Sequence, residues 1–119
     1  ILNRLKALHP ASVTEKSNQN GPIAWILLIP TTRKLMDSFL TGAISEKELF
    51  YLTNPNLQFE CIYLCSAMVL SEFRKKGITT DLTTAAINEI RKSHKIEALF
   101  VWAFSEEGKI AAGKIAAKL

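Results

Sequence analysis

Apolar residues along the chain fall into short runs and helical stripes that are separated by polar turns. Residues 23–29 are all apolar and rich in β-formers, so they predict a buried strand that ends at Pro30. Residues 59–70 carry almost no charge and predict a long central strand. Residues 96–104 are again nearly all apolar and predict a buried strand parallel to the one before it. Residues 1–20 hold only a short amphipathic stretch, and no strand is predicted there.

Helical spacing of apolar residues is clearest after Gly77, where it predicts one amphipathic helix. Residues 32–52 have the same spacing, and the capping-box pair Ser45 and Glu48 divides them into two short helices. Ser105 is an N-cap type of residue that is followed by acidic residues, so it predicts the start of a final helix. The stripe after Gly77 consists of Ile78, Leu82, Ala86 and Ile90, with Ala85 beside it.

The second half of the chain therefore reads strand, basic glycine loop, helix, strand, helix, which is a βαβα unit with parallel strands. With the first half it predicts an α/β (α+β) fold, in which helices flank one mixed central sheet. A chain of 119 residues fits a single domain, residues 1–119. Alternation along the central strand predicts that both of its faces are buried. One face is predicted to carry Cys61, Tyr63, Cys65, Ala67 and Val69, and the other Ile62, Leu64, Met68 and Leu70.

The composition, with 48% hydrophobic and 22% charged residues, argues against a disordered chain and against a disulfide-rich mini-protein. The longest apolar run has seven residues, far short of the ~20 that a membrane helix needs, so no membrane partner is expected. A net charge of +4 suits an anionic ligand without requiring nucleic acid.

Cys61 and Cys65 are the two cysteines of the chain, and both fall in the predicted central strand. Four residues of strand span ~13 Å, whereas a disulfide needs Cα atoms within ~7 Å, so both thiols are expected to be free. Free thiols indicate a reducing compartment, and the cytoplasm is the expected location. Because His9 and His94 are far apart in the sequence and no Cys/His cluster has zinc-site spacing, no metal is expected.

The most informative chemistry lies between the end of the central strand and the helix after Gly77. Gly77 permits a positive φ or a close backbone approach, and the first N–H groups of the helix point towards the same place. Arg74, Lys75 and Lys76 add positive charge, so the loop suits a multiply charged phosphate. From the local chemistry alone, an exposed basic loop that binds nothing is an equally good interpretation.

Arg74 and Gly77 also have the spacing of a known motif, and Val69 ends a strand five positions before the arginine. This stretch resembles the acetyl-CoA signature of the GNAT family of N-acetyltransferases. That signature has Arg or Gln, two residues, Gly, one residue, and then Gly or Ala, and Thr79 stands at the last of these positions. The helix, strand and final helix that follow also match the family's order, so the resemblance covers residues 59–119 well.

The resemblance implies acetyl-CoA or coenzyme A as co-substrate, bound where two parallel strands splay apart. Backbone N–H groups of the loop and helix would hold the pyrophosphate, and the end of the strand would offer main-chain hydrogen bonds to the pantetheine arm. The implied pyrophosphate ligands are Lys75, Lys76, Gly77, Ile78, Thr79 and Thr80, with Arg74 beside them, and the implied pantetheine partners are Ala67, Met68 and Val69.

By the same resemblance the protein is an acetyl-CoA-dependent N-acetyltransferase, in which a primary amine of a small molecule or a protein attacks the thioester directly. A homodimer is compatible with this resemblance. Glu60 is the candidate general base, and Ser105 is the candidate proton donor to the departing thiolate. Residues 110–119 contain no tyrosine for that protonation, and the strands that usually begin and close the family's domain are not evident. A single acyl-CoA N-acyltransferase-like domain, truncated at both ends, is therefore the expectation.

Two other functions remain open. A non-catalytic CoA-binding or regulatory module of the same fold would explain the missing tyrosine. A nucleic-acid binder would use the basic clusters at residues 74–76 and 91–95, but the chain lacks interleaved aromatic residues and a strongly basic balance. Nucleic acid is therefore the least favoured partner.

Overall fold

Four strands form one sheet with helices on both faces in the computed structural model, which describes residues 2–74 and 76–101. Short 3-10 helices at Pro10–Ser12 and Ser71–Phe73 lie in two of the connections. The expected fold class, a mixed central sheet flanked by helices, is confirmed. In chain order the elements are α1 (Leu2–Leu8), β1 (Val13–Asn18), β2 (Gly21–Thr31), α2 (Arg33–Leu40), α3 (Glu46–Leu52), β3 (Cys61–Val69), α4 (Ile78–Arg91) and β4 (Ala98–Phe100).

Several sequence predictions fall outside the described residues. They are the loop residue Lys75, the end of the last predicted strand from Trp102 onwards, the N-cap residue Ser105 and the final helix. The two short helices predicted within residues 32–52 are confirmed as α2 and α3.

The sheet has the order β1-β2-β3-β4 and is mixed. β1, β2 and β3 are antiparallel neighbours, and β3 and β4 are parallel. Because α4 connects β3 to β4, these three elements form the predicted unit of two parallel strands with a helical connection.

β1 was not predicted from the sequence, and β2 runs past both of its prolines. Apart from Val13, β1 has a polar sequence, which an edge strand tolerates because only one of its sides is paired. Pro30 lies beyond the end of the β1 pairing at Leu27, so the missing N–H need not break the ladder. The expectation that β2 ends at Pro30 is wrong by one residue, because Thr31 still pairs with Cys61.

Two apolar clusters pack against the opposite faces of the sheet. The cluster under α1, α2 and α3 is the larger and is rich in aromatic rings, whereas α4 covers the other face with small and branched side chains. The first cluster contains Leu5, Leu8, Ile29, Met36, Leu49, Phe50, Phe59, Cys61, Tyr63 and Phe100, and the second contains Ile26, Leu28, Ile62, Ala86, Ile87 and Ile90.

α4 is the long helix that was predicted after Gly77, but its buried side is rotated from the predicted stripe. Thr83 and Ile87 are buried, whereas Ala85 is exposed. Residues spaced four apart do not stay on one side of a helix that has 3.6 residues per turn. The side of α4 that packs on the sheet is therefore not the one that this spacing indicates. Among the helices of the described part of the chain, none is both long enough and apolar enough to cross a bilayer.

A β-bulge at Cys65 changes which face the second half of β3 presents. Leu64 pairs with Leu28 and Ser66 pairs with Leu27, so Cys65 is an extra residue. The predicted alternation therefore holds up to Cys65 and is wrong beyond it: Met68 shares the face of the first cluster, and Ala67 and Val69 lie on the other face.

The second half of β3 is also less covered than predicted. The residues at the start of β3 are buried, whereas Ser66, Ala67 and Met68 are exposed. The cross-strand partner of Met68, Trp25, is half-buried and belongs to neither core cluster. Among residues 2–74 and 76–101, the helices cover only one half of the sheet.

Candidate functional site

The turn between β3 and α4 has the backbone geometry expected of an anion site. Gly77 is the N-cap of α4 and has a left-handed conformation (φ 76°, ψ 9°), with no side chain to cap the helix. The N–H of Asp81 donates to the carbonyl of Gly77 over 3.0 Å and closes the first turn. The N–H groups of Ile78, Thr79 and Thr80 have no acceptor within the helix, so they are available to an anion at this end.

The side chains at this turn add charge of both signs. Arg74 and Lys76 are exposed, and the Lys76 ammonium lies 5.6 Å from the centre of the Phe73 ring. Asp81 places a carboxyl group in the first turn of α4. Because that charge opposes a bound phosphate, binding depends on the backbone N–H groups together with the basic side chains.

The cofactor residues expected on β3, Ala67, Met68 and Val69, are the last three residues of the strand. Pairing with β4 ends at Tyr63 and Phe100, although β3 continues to Val69. Beyond Tyr63, no strand of the described chain pairs with this side of β3. β3 ends at Val69 and a short connection leads to the start of α4, so the expected pantetheine residues are close in the chain to the described pyrophosphate residues.

Hydrogen bonds show which main-chain groups face this edge. Leu70 N donates to Ile23 O of β2, and Val69 O accepts from Arg74 Nε over 3.2 Å. Since successive residues of a strand point their main-chain groups to opposite sides, Ala67 and Val69 face the open edge and Met68 faces β2. Within the described part of the chain, Ala67 therefore has the least committed main-chain groups of the three.

Glu60 lies at the other end of β3 from the cofactor residues. Nine residues of strand separate it from Val69, which corresponds to roughly 30 Å. Its Oε1 accepts a hydrogen bond from Arg33 N at the start of α2, over 3.3 Å, and its main chain bonds to Thr31 and Glu97. The structure does not bring Glu60 to the open edge, and Ser105 lies outside the described residues.

A carboxylate that sequence reasoning missed lies next to Tyr63 and Cys65 of β3. Glu46 Oε2 accepts a hydrogen bond from the Tyr63 hydroxyl over 2.7 Å, and Glu46 Oε1 lies 3.6 Å from the Cys65 sulfur. Tyr63 is the last β3 residue paired with β4, and Cys65 is the bulge residue just beyond it. Glu46 therefore lies at the end of the described β3–β4 pairing.

The surroundings of Glu46 keep its two partners protonated. Burial, the hydrogen bond to Glu46 and the charge of Glu46 raise the pKa of Tyr63 far above its ordinary value. Burial and the charge of Glu46 raise the pKa of the Cys65 thiol to about 12. Both groups therefore act as hydrogen-bond donors to the carboxylate near neutral pH. Cys65 and Cys61 are free thiols, as predicted.

A capping box fixes the start of α3 and hence the position of Glu46. Ser45 Oγ accepts from Glu48 N over 3.1 Å, and the Glu48 carboxylate accepts from Ser45 N over 3.0 Å. The sequence predicted this cap, and Glu46 follows it as the first residue of the helix. No local pattern indicates that α3 packs against Tyr63, because that contact joins residues 17 positions apart.

An open cavity of about 260 Å³ lies beside Glu46, on the face of the sheet that α1 and α3 cover. Its lining is mainly apolar and aromatic, and Glu46 is the acidic residue among the described residues that form it. The lining residues are Leu5, Leu27, Ile29, Glu46, Lys47, Phe50, Tyr51 and Cys65.

Comparisons with known proteins found no similarity that indicates a function. No model of a protein family matches the sequence, and no curated protein has significant similarity to it. Among residues 2–74 and 76–101, no cluster of three or more His, Cys, Asp or Glu side chains is suited to a metal ion.

Proposed function

We propose that this protein is an acyl-CoA-dependent N-acyltransferase, which moves an acyl group, with acetyl as the simplest case, to a primary amine. The observation that carries the proposal is the continuous path from the open edge of β3 through the basic turn to the N-terminus of α4. An extended pantetheine arm needs a free strand edge, and a pyrophosphate needs a positive helix end. Among the described residues, the edge of β3 beyond Tyr63 is unpaired, and the N-terminus of α4 follows it in the chain.

The cofactor would bind mainly through the main chain. Its pyrophosphate would accept hydrogen bonds from the N–H groups of Ile78, Thr79 and Thr80, with Arg74 and Lys76 supplying charge. Lys75 precedes Lys76 in the same basic run. The pantetheine arm would lie along the edge from Ala67 to Val69, where the Arg74 contact with Val69 O occupies one acceptor.

In the reaction, Glu46 is the group placed to take a proton from the acceptor. The amine enters as an ammonium, gives one proton to the Glu46 carboxylate, and its nitrogen attacks the thioester carbon. The C–N bond forms as the C–S bond breaks, the nitrogen releases its second proton, and the thiolate of CoA is protonated. One proton is released to solvent per turnover. Tyr63 would hold the carboxylate in place through its 2.7 Å hydrogen bond.

The two free thiols suit a reducing compartment, and we propose the cytoplasm as the location. Small-molecule or protein amines of that compartment are the acceptors to test.

The decisive assay measures the release of free thiol from acetyl-CoA with a panel of primary amines. We expect release above the hydrolysis background with at least one amine. E46Q should then lower turnover by about 10²- to 10⁴-fold with little change in CoA affinity. E60Q is the matched control, because Glu60 lies at the other end of β3. Tight CoA binding without thiol release from any amine would contradict the enzyme and leave a CoA-binding module. A loss of turnover in E60Q but not in E46Q would contradict the role of Glu46.

A further inference from the structure

We infer that His9 and His94 form a pH-sensitive latch, which holds the end of α1 against the end of α4 at neutral pH and opens in mild acid. His9 follows α1 and His94 follows α4, so the latch joins two segments that are far apart in the chain. Two hydrogen bonds and one ring contact define it. Neither histidine belongs to the CoA site proposed above.

Each ring accepts a hydrogen bond from a backbone N–H. His9 Nδ1 accepts from Ala11 N over 3.0 Å, and His94 Nδ1 accepts from Phe59 N over 3.1 Å. A neutral imidazole has one acceptor nitrogen, so both rings carry their proton on Nε2. Protonation of Nδ1 removes the acceptor and leaves a half-buried backbone donor without its partner. Both hydrogen bonds therefore need neutral rings.

The two rings also contact each other. Their centres are 6.1 Å apart with an angle of 70° between the ring planes, and the His94 ring lies 4.7 Å from the ring of Phe59. Phe59 is fully buried, so His94 covers an aromatic side chain of the core. Two neutral rings can pack in this way, whereas two imidazolium ions repel each other. A separation of the rings relieves that repulsion.

Burial of His9 gives the latch its direction. Burial lowers the pKa of His9 below its ordinary value of 6.5, the charge of His94 lowers it further, and Glu89 of α4 raises it. When the latch opens, the burial and the contact with His94 are lost, so the open form takes up a proton first. The closed form is therefore favoured above pH 6.5 and is lost as the pH falls towards the closed-state pKa of His9.

Lysines of both segments are close to the latch in the chain. Lys92 binds the Glu89 carboxylate over 2.7 Å and thereby weakens its attraction for a proton on His9. Lys6 in the last turn of α1 and Lys95 next to His94 are exposed, so solvent and salt screen their charges. Because histidine is the side chain that ordinarily titrates between pH 5 and pH 8, the pH response is assigned to the two rings.

The opening is local because α1 has a second anchor that does not titrate. The Arg4 guanidinium donates to the carbonyls of Phe50, Tyr51 and Thr53 at the end of α3, over 3.4, 2.8 and 3.2 Å. A guanidinium in a protein is not deprotonated. Acid thus frees the His9 end of α1, while Arg4 keeps the helix on α3. The latch converts a fall in pH into exposure of the core beneath His94.

Hydrogen exchange of the Ala11 and Phe59 amides tests the latch, measured by NMR between pH 7.5 and pH 5 and corrected for the intrinsic effect of pH. We expect both amides to lose protection together as the pH falls, while the β2–β3 ladder stays protected. Each ring that takes up one proton on opening contributes at most about tenfold per pH unit. H9N and H94N supply oxygens that do not titrate, so each should make the loss less steep. E89Q should shift the loss to lower pH.

NMR titration of the rings is the second measurement. His9 should titrate at a lower pH in the parent than in H94N, and E15Q, on the exposed edge strand β1, should match the parent. Equal titration of His9 in the parent and H94N would overturn the latch. A neutral ring with its proton on Nδ1 would also overturn it, as would protection of Ala11 and Phe59 that is lost only together with that of the β2–β3 ladder.

Discussion

The hydroxyl of Tyr63 donates a 2.7 Å hydrogen bond to Glu46 Oε2, and this contact joins the first residue of α3 to the last β3 residue that pairs with β4. Only 2% of Tyr63 is exposed, and its ring packs against Phe39 and Phe100 at centre distances of 5.0 and 5.1 Å. A buried donor thus holds the carboxylate of an exposed residue. The contact fixes the Glu46 carboxylate at the end of the described β3–β4 pairing.

Removal of the Tyr63 hydroxyl should destabilise the fold by a small, measurable amount. We expect Y63F to lower the free energy of unfolding by about 1 kcal/mol, because the hydrogen bond is lost while the ring stays packed. Tyr51 is 52% exposed, so Y51F is a matched control that should change stability much less. Urea unfolding of both variants measures the difference. Equal effects of the two substitutions would show that the Tyr63 contact adds nothing to stability.

The charge of Glu46 should slow the reaction of Cys65 with alkylating reagents. The thiolate is the nucleophile, and burial together with Glu46 raises the pKa of Cys65 to about 12. In E46Q the Coulombic part is lost and burial remains, so the pKa should fall while staying above the ordinary value of 9.0. Iodoacetamide labelling at pH 9, followed by peptide mass spectrometry, should show faster labelling of Cys65 in E46Q than in the parent or E15Q. An unchanged rate would mean that Glu46 does not interact with this thiol.

Stability should fall on the acid side because of His9. Burial lowers its pKa below 6.5, the charge of His94 lowers it further, and Glu89 acts in the opposite direction. His9 Nδ1 also accepts a hydrogen bond from Ala11 N over 3.0 Å, which needs the neutral ring. A histidine with a lowered folded-state pKa contributes stability above pH 6.5, and this is lost as the pH falls towards the folded value, because the unfolded chain takes up the proton first.

Thermal unfolding between pH 7.5 and pH 5 measures this contribution. H9N keeps an oxygen that can cap Ala11 N but cannot titrate, so its midpoint should fall less over this range than that of the parent. Parallel curves for parent and variant would contradict a role for His9.

Local sequence patterns predicted most of the helices and strands. The features that these patterns missed depend on tertiary contacts. The Ser45 capping box and the glycine before α4 act within one turn of backbone, so sequence alone indicated both. β1 has a polar sequence, and its pairing with β2 is what makes it a strand. The bulge at Cys65 depends on how β2 and β3 align, so strict alternation assigned Met68 to the wrong face.

One part of the candidate site also follows from local sequence, and the other depends on tertiary contacts. The anion turn is a continuous segment, and its geometry follows from Gly77 and the start of a helix. The Glu46 carboxylate comes from α3, which precedes β3 in the chain, so no spacing within residues 59–70 could indicate it. Glu60 is nearer than Glu46 to the cofactor residues in the sequence, but it lies at the opposite end of β3 from them.

The central claim is that the turn before α4 binds coenzyme A through its backbone, and a calorimetric titration of CoA tests it most directly. Gly77 has a φ of +76° and Gly42, between α2 and α3, has a φ of +82°, and an added Cβ would meet nothing within 4 Å at either position. G77V and G42V should therefore cost similar stability through backbone strain alone. We predict that the parent and G42V bind CoA, that K76A binds it a few-fold more weakly, and that G77V does not bind it. Equal CoA affinity in G77V and G42V, or no binding by the parent, would contradict the account.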